Sequence, residues 1–159
     1  MLPLVRGFYE TAYVTRNMDA ALATVADRDG LSDFYVFAPP ATRGAVSHLN
    51  KVAKTFVGER MIEILEPNPQ IESIFIDFLP AANGDLKLHH LGHIVADDAH
   101  WDAILDQAAA SKIEIAYQGF IPDMIRVVYL DTRAALGHYS EYIQNYAGGR
   151  ALLERIPRC

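Results

Sequence analysis

Two stretches of the chain repeat one pattern of polar and apolar residues. In the first, Glu10 opens an apolar run and Asn17 follows it seven positions later; in the second, His90 opens the run and Asp97 follows at the same distance. Apolar runs of this length predict strands, and Asn and Asp are preferred residues at a helix N-cap. The repeat therefore predicts two copies of a strand followed by a helix, each with a potential metal ligand on its strand.

The likeness continues downstream, where each copy has one carboxylate in a mostly apolar segment. Glu63 lies in the segment 61–65, and Glu141 lies in the segment 139–143. Glu63 follows Glu10 by 53 positions (63−10), and Glu141 follows His90 by 51 (141−90). A buried carboxylate is costly unless a cation or a hydrogen-bond donor satisfies it. The duplication therefore predicts a four-ligand metal site in which each copy supplies one pair of ligands.

The order of elements is βαβββ in each copy, which predicts an α+β fold. Met18, Ala21, Leu22 and Val25 have the spacing of one helical face. In the second copy, the corresponding helix is predicted around Trp101, which we assign to packing, with Asp97 or Asp98 as its N-cap. The predicted strands lie near 8–15, 34–37, 53–57, 60–65, 89–95, 113–119, 124–130 and 138–143.

We expect one domain spanning residues 1–159, because a chain that is 51% apolar can bury an ample core. Module one covers about 8–67, a connector about 68–86, module two about 87–146, and a tail or short helix 147–159. Alone, each module would expose one face of a small curved sheet. We therefore expect the two modules to pair into a half-open curved sheet whose concave face binds a ligand.

Composition excludes several classes of partner and site. The net charge of −6 is spread without clusters of Lys or Arg, which argues against nucleic acid. Apolar runs are short, and Met1–Arg6 lacks the long apolar stretch of a signal sequence, so no membrane partner and a cytoplasmic location are expected. The single cysteine, Cys159, makes a thiolate metal site improbable. Any metal must use nitrogen and oxygen ligands.

Four motifs in order resemble the vicinal oxygen chelate superfamily, which includes glyoxalases, bleomycin-resistance proteins and extradiol dioxygenases. The motifs are Tyr13–Ala21, Glu63–Pro67, Leu88–His93 and Gly137–Tyr142, and the similarity covers roughly residues 8–146. The glyoxalase-like and methylmalonyl-CoA-epimerase-like branches are the most similar. The resemblance implies the glyoxalase/bleomycin-resistance/dioxygenase fold.

The resemblance also implies which residues bind a metal. The positions that match the ligands of this superfamily are Glu10, Glu63, His90 and Glu141. Glu10 departs from the pattern, since His or Gln is commoner at the first position. Three carboxylates and one imidazole favour one divalent ion, with Mn, Co, Ni, Mg or Fe preferred over Zn.

The implied reaction is isomerisation, epimerisation or lyase chemistry on a small substrate with vicinal oxygens, through an enediolate-type intermediate. Glu141 and Glu63 are the candidate catalytic residues, because a carboxylate beside the metal can take and return a proton. Two alternatives remain open: a ring-opening extradiol dioxygenase, and a metal-free small-molecule-binding protein of the bleomycin-resistance kind. A homodimer is expected.

Three other histidines are assigned away from the site. His89 and His93 lie an odd number of positions from His90, so on a strand they face the opposite side of the sheet. We expect them to lie on the surface or in packing between elements. His138 is an odd number of positions from Glu141 and is at best a neighbour of the site.

Overall fold

The computed structural model describes residues 7–39 and 47–159. Met1–Arg6, on which the expectation about a signal sequence depends, lies outside the described residues. The elements, in chain order, are β1 Phe8–Val14, α1 Met18–Asp29, β2 Tyr35–Phe37, β3 Leu49–Val57, β4 Arg60–Pro67, a 3₁₀ turn Ile76–Phe78, β5 Lys87–Ile94, α2 Asp98–Ala110, β6 Ile115–Ile121, β7 Ile125–Leu130, α3 Arg133–Leu136, β8 Tyr139–Asn145 and α4 Ala147–Leu153. The predicted βαβββ order therefore occurs twice, with the short α3 inserted before the last strand. None of the described helices is both long and apolar enough to cross a bilayer.

The chain forms two compact units. Unit one runs up to Glu10 and then from His90 to Glu154; unit two contains Thr11–His89 and Arg155–Cys159. Each unit therefore combines segments that are distant in sequence, and both β1 and β5 are divided between the units. The module boundaries expected from the repeat, and the single domain, stay predictions.

In unit two, an antiparallel ladder β2-β3-β4 leads to β1. The helix α1 begins where Asn17 accepts a hydrogen bond from the Ala20 amide, and it ends at Gly30, which has a left-handed φ of 71°. A glycine adopts this conformation readily because it has no Cβ to clash with the backbone. The predicted apolar face of α1 is confirmed, since Met18, Ala21 and Val25 are buried in one cluster with residues of β3 and β4.

In unit one, β5 pairs in parallel with β8, which pairs antiparallel with β7, and β7 pairs antiparallel with β6. The Asp97 side chain accepts a hydrogen bond from the His100 amide and caps α2. Trp101 is buried with Val128, Leu130 and Tyr142, which confirms its assignment to packing. The connection from β5 to β8 includes α2 and two strands, as a parallel pair of neighbouring strands requires a long crossover.

Each predicted strand occurs in the structure, but most of the strands begin or end at a different residue from the predicted one. The strand expected at 53–57 begins at Leu49, and that expected at 113–119 is displaced to Ile115–Ile121. The strands expected near 34–37, 60–65, 89–95, 124–130 and 138–143 correspond to β2, β4, β5, β7 and β8 with ends shifted by one or two residues. Strand ends are set by cross-strand pairing, which a single segment does not reveal.

Candidate metal centre

Three of the four predicted ligands come together inside unit one. Glu10 is on β1, His90 on β5 and Glu141 on β8. Their exposed fractions are 1%, 0% and 4%, so all three are buried. Because β5 and β8 run in parallel with Gly92 beside Glu141, alternate side chains of the two strands project on the same face.

One imidazole nitrogen connects the two carboxylates. His90 Nε2 lies 3.2 Å from Glu10 Oε1 and 3.5 Å from Glu141 Oε2. A neutral imidazole carries a single N–H, so Nε2 can donate to only one of these oxygens at a time. Two buried carboxylates beside one nitrogen make an oxygen-rich donor set that a divalent cation would satisfy. These side chains therefore fit a metal ion.

Gly92 leaves room for the side chains of both Glu10 and Glu141. A Cβ at this position would lie 2.9 Å from the Cβ of Glu10 and 3.0 Å from Glu141 Oε2. Contacts this short require one of the neighbours to move. Any larger residue at position 92 would displace the carboxylates, which explains the glycine inside a strand.

Tyr129 contacts two residues of the cluster and was not predicted from the sequence. Its hydroxyl donates a hydrogen bond of 2.6 Å to Glu141 Oε1. Its ring meets the His90 ring edge-on, with centroids 5.0 Å apart and an interplanar angle of 87°. Tyr129 lies directly opposite Glu141 in the β7–β8 ladder. The α3 insertion between these strands hides that register in the sequence.

The fourth predicted ligand, Glu63, belongs to unit two, where it lies on β4 opposite Lys54 of β3. Lys54 Nζ is 2.9 Å from Glu63 Oε1, and the two side chains are 12% and 8% exposed. Lys54 was not predicted from the sequence. A signal for it existed, because the short Gly58–Glu59 turn pairs Val57 with Arg60 and, counting back, Lys54 with Glu63. The assignment of Glu63 as a metal ligand stays a prediction.

His89 and His93 are packing residues. In unit two, the His89 Nε2–H donates to the Ile74 carbonyl over 3.1 Å, and the ring stacks on Phe75. In unit one, the His93 Nδ1–H donates to the Glu141 carbonyl over 3.2 Å, and the ring stacks on Tyr142. Both rings are buried, as the packing alternative predicted. The backbone carbonyls that accept these hydrogen bonds could not be identified from the sequence.

Two other tyrosines of unit one, the half-buried Tyr117 and the buried Tyr142, remain neutral. Desolvation by burial raises the pKa of the Tyr117 phenol and of the Tyr142 phenol above their ordinary values. The Tyr142 hydroxyl has no hydrogen-bond partner within the described ranges 7–39 and 47–159. Near neutral pH, neither phenol therefore adds charge to unit one.

The chain is similar to known proteins in structure but not in sequence. No protein-family model matches the chain, and no curated protein matches its sequence. Solved structures do match. A methylmalonyl-CoA epimerase from Mycobacterium tuberculosis superposes with a TM-score of 0.64 and 16% identity, covering 95% of each chain.

Two further epimerase structures give the same result. A variant of the Streptomyces coelicolor methylmalonyl-CoA epimerase in complex with 2-nitronate-propionyl-CoA has a TM-score of 0.61 and 18% identity, covering 89% of this chain and 99% of that one. A methylmalonyl-CoA epimerase in complex with methylmalonyl-CoA and NH4+ has the same TM-score and identity, covering 89% and 96%. The chain has the vicinal oxygen chelate fold. The superfamily resemblance and the α+β glyoxalase/bleomycin-resistance/dioxygenase fold class are thereby confirmed at the level of fold.

Proposed function

We propose that this chain, which has the vicinal oxygen chelate fold, is a divalent-metal-dependent epimerase, isomerase or lyase. The proposal depends on the buried cluster of Glu10, His90 and Glu141. In this cluster one oxygen of each carboxylate lies within 3.5 Å of His90 Nε2. Burying two carboxylates beside a histidine costs folding free energy. A binding function for a cation accounts for that cost.

Glu10, His90 and Glu141 would hold the metal, and the internal repeat adds Glu63 as a proposed fourth ligand. A bound divalent cation would polarise a substrate carbonyl and stabilise the negative charge of an enediolate-type intermediate. Oxygen-rich ligands favour Mn, Co, Ni, Mg or Fe over Zn. Replacement of the commoner His or Gln by Glu10 shifts this preference further toward hard cations.

Glu141 is the proposed residue that takes the substrate proton. Its Oε1 already accepts the Tyr129 hydrogen bond, so Oε2 is the atom on the His90 side that is best placed for proton transfer. Glu63 is the second proposed catalytic carboxylate, since it occupies the corresponding place in the first copy of the repeat. Epimerisation needs a proton to be removed and then returned, which two such groups can do.

The proposed substrate class is a small molecule with two neighbouring oxygens, and acyl-CoA esters are the first to test because both epimerase complexes described above contain one. The experiment incubates methylmalonyl-CoA with the protein in deuterated water and follows loss of the α-proton signal by NMR. Exchange that stops when the metal is removed and returns with Mn²⁺ or Co²⁺ would support the proposal. A panel of other acyl-CoA esters and hemithioacetals extends the search. If the metal-loaded protein acts on no member of this panel, the proposed function is contradicted.

One observation favours a second function, metal-free binding of a small molecule. Lys54 already places a cation 2.9 Å from Glu63, so that carboxylate is compensated without a metal. Elemental analysis of the purified protein distinguishes the two functions, since a binding protein of this kind would contain no stoichiometric metal.

Oxygen consumption with catechols tests the dioxygenase alternative. Sedimentation would test the homodimer, which stays a prediction.

A further inference from the structure

Tyr129 contacts two residues of the candidate centre in unit one, Glu141 and His90. The Tyr129 hydroxyl donates to Glu141 Oε1 over 2.6 Å, and the Tyr129 ring packs edge-on against His90. Tyr129 is on β7, a strand that supplies none of the predicted ligands. Its exposed fraction is 6%, so water competes little for the hydroxyl.

The two oxygens of Glu141 have different partners as a result. Oε1 accepts from Tyr129, whereas Oε2 lies 3.5 Å from His90 Nε2. A short hydrogen bond from a buried donor to a carboxylate is among the stronger contacts in proteins and fixes the rotation of the carboxylate. The edge-on ring contact limits the rotation of the imidazole in the same way.

We infer that Tyr129 is a positioning residue that holds Glu141 with Oε2 toward His90 and holds the His90 ring in the matching orientation. The inference rests on the proposed function for its effect on metal binding, but the contact itself can be tested without metal. Groups that orient metal ligands change metal affinity although they do not touch the metal. Tyr129 would act in this way through both ligands.

The first experiment uses metal-free protein and a double-mutant cycle. Tyr129→Phe, Glu141→Met and the double variant are unfolded in urea beside the wild type. We expect the change in unfolding free energy of the double variant to differ clearly from the sum of the two single changes, because the two substitutions remove the same hydrogen bond. Changes that add up would overturn the inference.

The second experiment measures metal binding by calorimetry with Mn²⁺ and by the absorption spectrum of bound Co²⁺. Tyr129→Phe is expected to weaken Mn²⁺ binding by about tenfold or more and to change the Co²⁺ spectrum. Tyr142→Phe is the matched control, since it removes a buried hydroxyl that has no hydrogen-bond partner in the described part of the chain. We expect this control to bind Mn²⁺ as the wild type does.

The outcomes separate the two proposals. Equal Mn²⁺ affinity and an unchanged Co²⁺ spectrum in Tyr129→Phe would overturn the positioning role. A wild-type protein that binds neither ion would instead contradict the proposed metal dependence. The role of Tyr129 in holding Glu141 would then be decided by the urea cycle alone.

Discussion

The β3–β4 hairpin of unit two and the β7–β8 pair of unit one show how one repeated position acquired two different environments. Glu63 and Glu141 occupy corresponding places in the repeat, and each lies opposite a residue of the preceding strand. That residue is Lys54 in unit two and Tyr129 in unit one. A lysine neutralises its carboxylate, whereas a tyrosine donates a hydrogen bond and leaves the negative charge in place. The carboxylate of unit one is therefore the one without an ammonium group opposite it in the ladder, and it is the one assigned to the proposed metal ion.

The largest effect is expected from Glu141→Gln, which removes the charge of that carboxylate. If Glu141 transfers the substrate proton, kcat for α-proton exchange should fall by about 10²–10⁴-fold. The measurement is the NMR exchange assay with metal-loaded protein. Glu59→Gln, at an exposed position, is the control and should keep full activity. Near-normal exchange in Glu141→Gln would exclude Glu141 as the catalytic base.

The next largest effect is expected from removing Lys54, the partner of Glu63 in unit two. Lys54→Met removes the ammonium group that lies 2.9 Å from Glu63. Loss of one partner of a buried ion pair costs about 3–5 kcal/mol of unfolding free energy. Urea unfolding of metal-free protein at neutral pH measures this loss.

A second substitution checks the cause of that loss. Lys54→Met combined with Glu63→Gln should regain most of the stability, because no buried charge then remains at Glu63. If the double variant is as unstable as Lys54→Met, the loss comes from packing of the lysine stem and the charge argument is wrong.

A smaller effect is expected from Gly92→Ala, which tests the packing around the two carboxylates of unit one. The added methyl group would lie 2.9 Å from the Cβ of Glu10 and 3.0 Å from Glu141 Oε2. Overpacking of this kind costs about 1–3 kcal/mol of unfolding free energy. Mn²⁺ binding should weaken as well, because both carboxylates must shift. Wild-type stability together with wild-type Mn²⁺ affinity would contradict the assigned role of Gly92.

The smallest effect concerns a carboxylate of unit one outside the cluster. Hydrogen bonds from the Arg133 side chain hold the pKa of Asp131 below its ordinary value. A carboxyl whose folded-state pKa is lowered stabilises the fold above its unfolded pKa of about 3.9, and the contribution is lost as the pH falls through the folded-state pKa. Asp131→Asn should therefore cost at most about 1 kcal/mol at pH 7, since solvent reaches both partners of the pair, whose side chains are 20% (Asp131) and 41% (Arg133) exposed.

The pH dependence supplies the check on this prediction. The difference in urea midpoint between wild type and Asp131→Asn should shrink as the pH is lowered below about 3.9. A difference that stays constant with pH would show that the Asp131 charge contributes nothing. In contrast to Lys54, Arg133 should thus have little influence through its ion pair.

Periodicity and residue type were sufficient for much of the fold. The i, i+3, i+4, i+7 spacing in α1 and its cap Asn17 depend on neighbours along the chain, so they were predicted from the sequence. For α2 the sequence left Asp97 and Asp98 as candidate caps, and the structure has Asp97. The strand ends were less accurate because pairing partners decide them. Lys54 could have been found from the short hairpin turn, whereas Tyr129 could not, since the insertion of α3 removes any simple count between β7 and β8.

By itself, the sequence determined the twice-repeated βαβββ order and the carboxylate and imidazole side chains available for a metal, because side-chain chemistry and periodicity are properties of the chain. Only the tertiary structure decided that His90 Nε2 lies between Glu10 and Glu141, that Tyr129 holds one oxygen of Glu141, and that Gly92 leaves room for the carboxylates. The physical reason is that these contacts join different strands. Their distances depend on register and packing, which no single segment encodes.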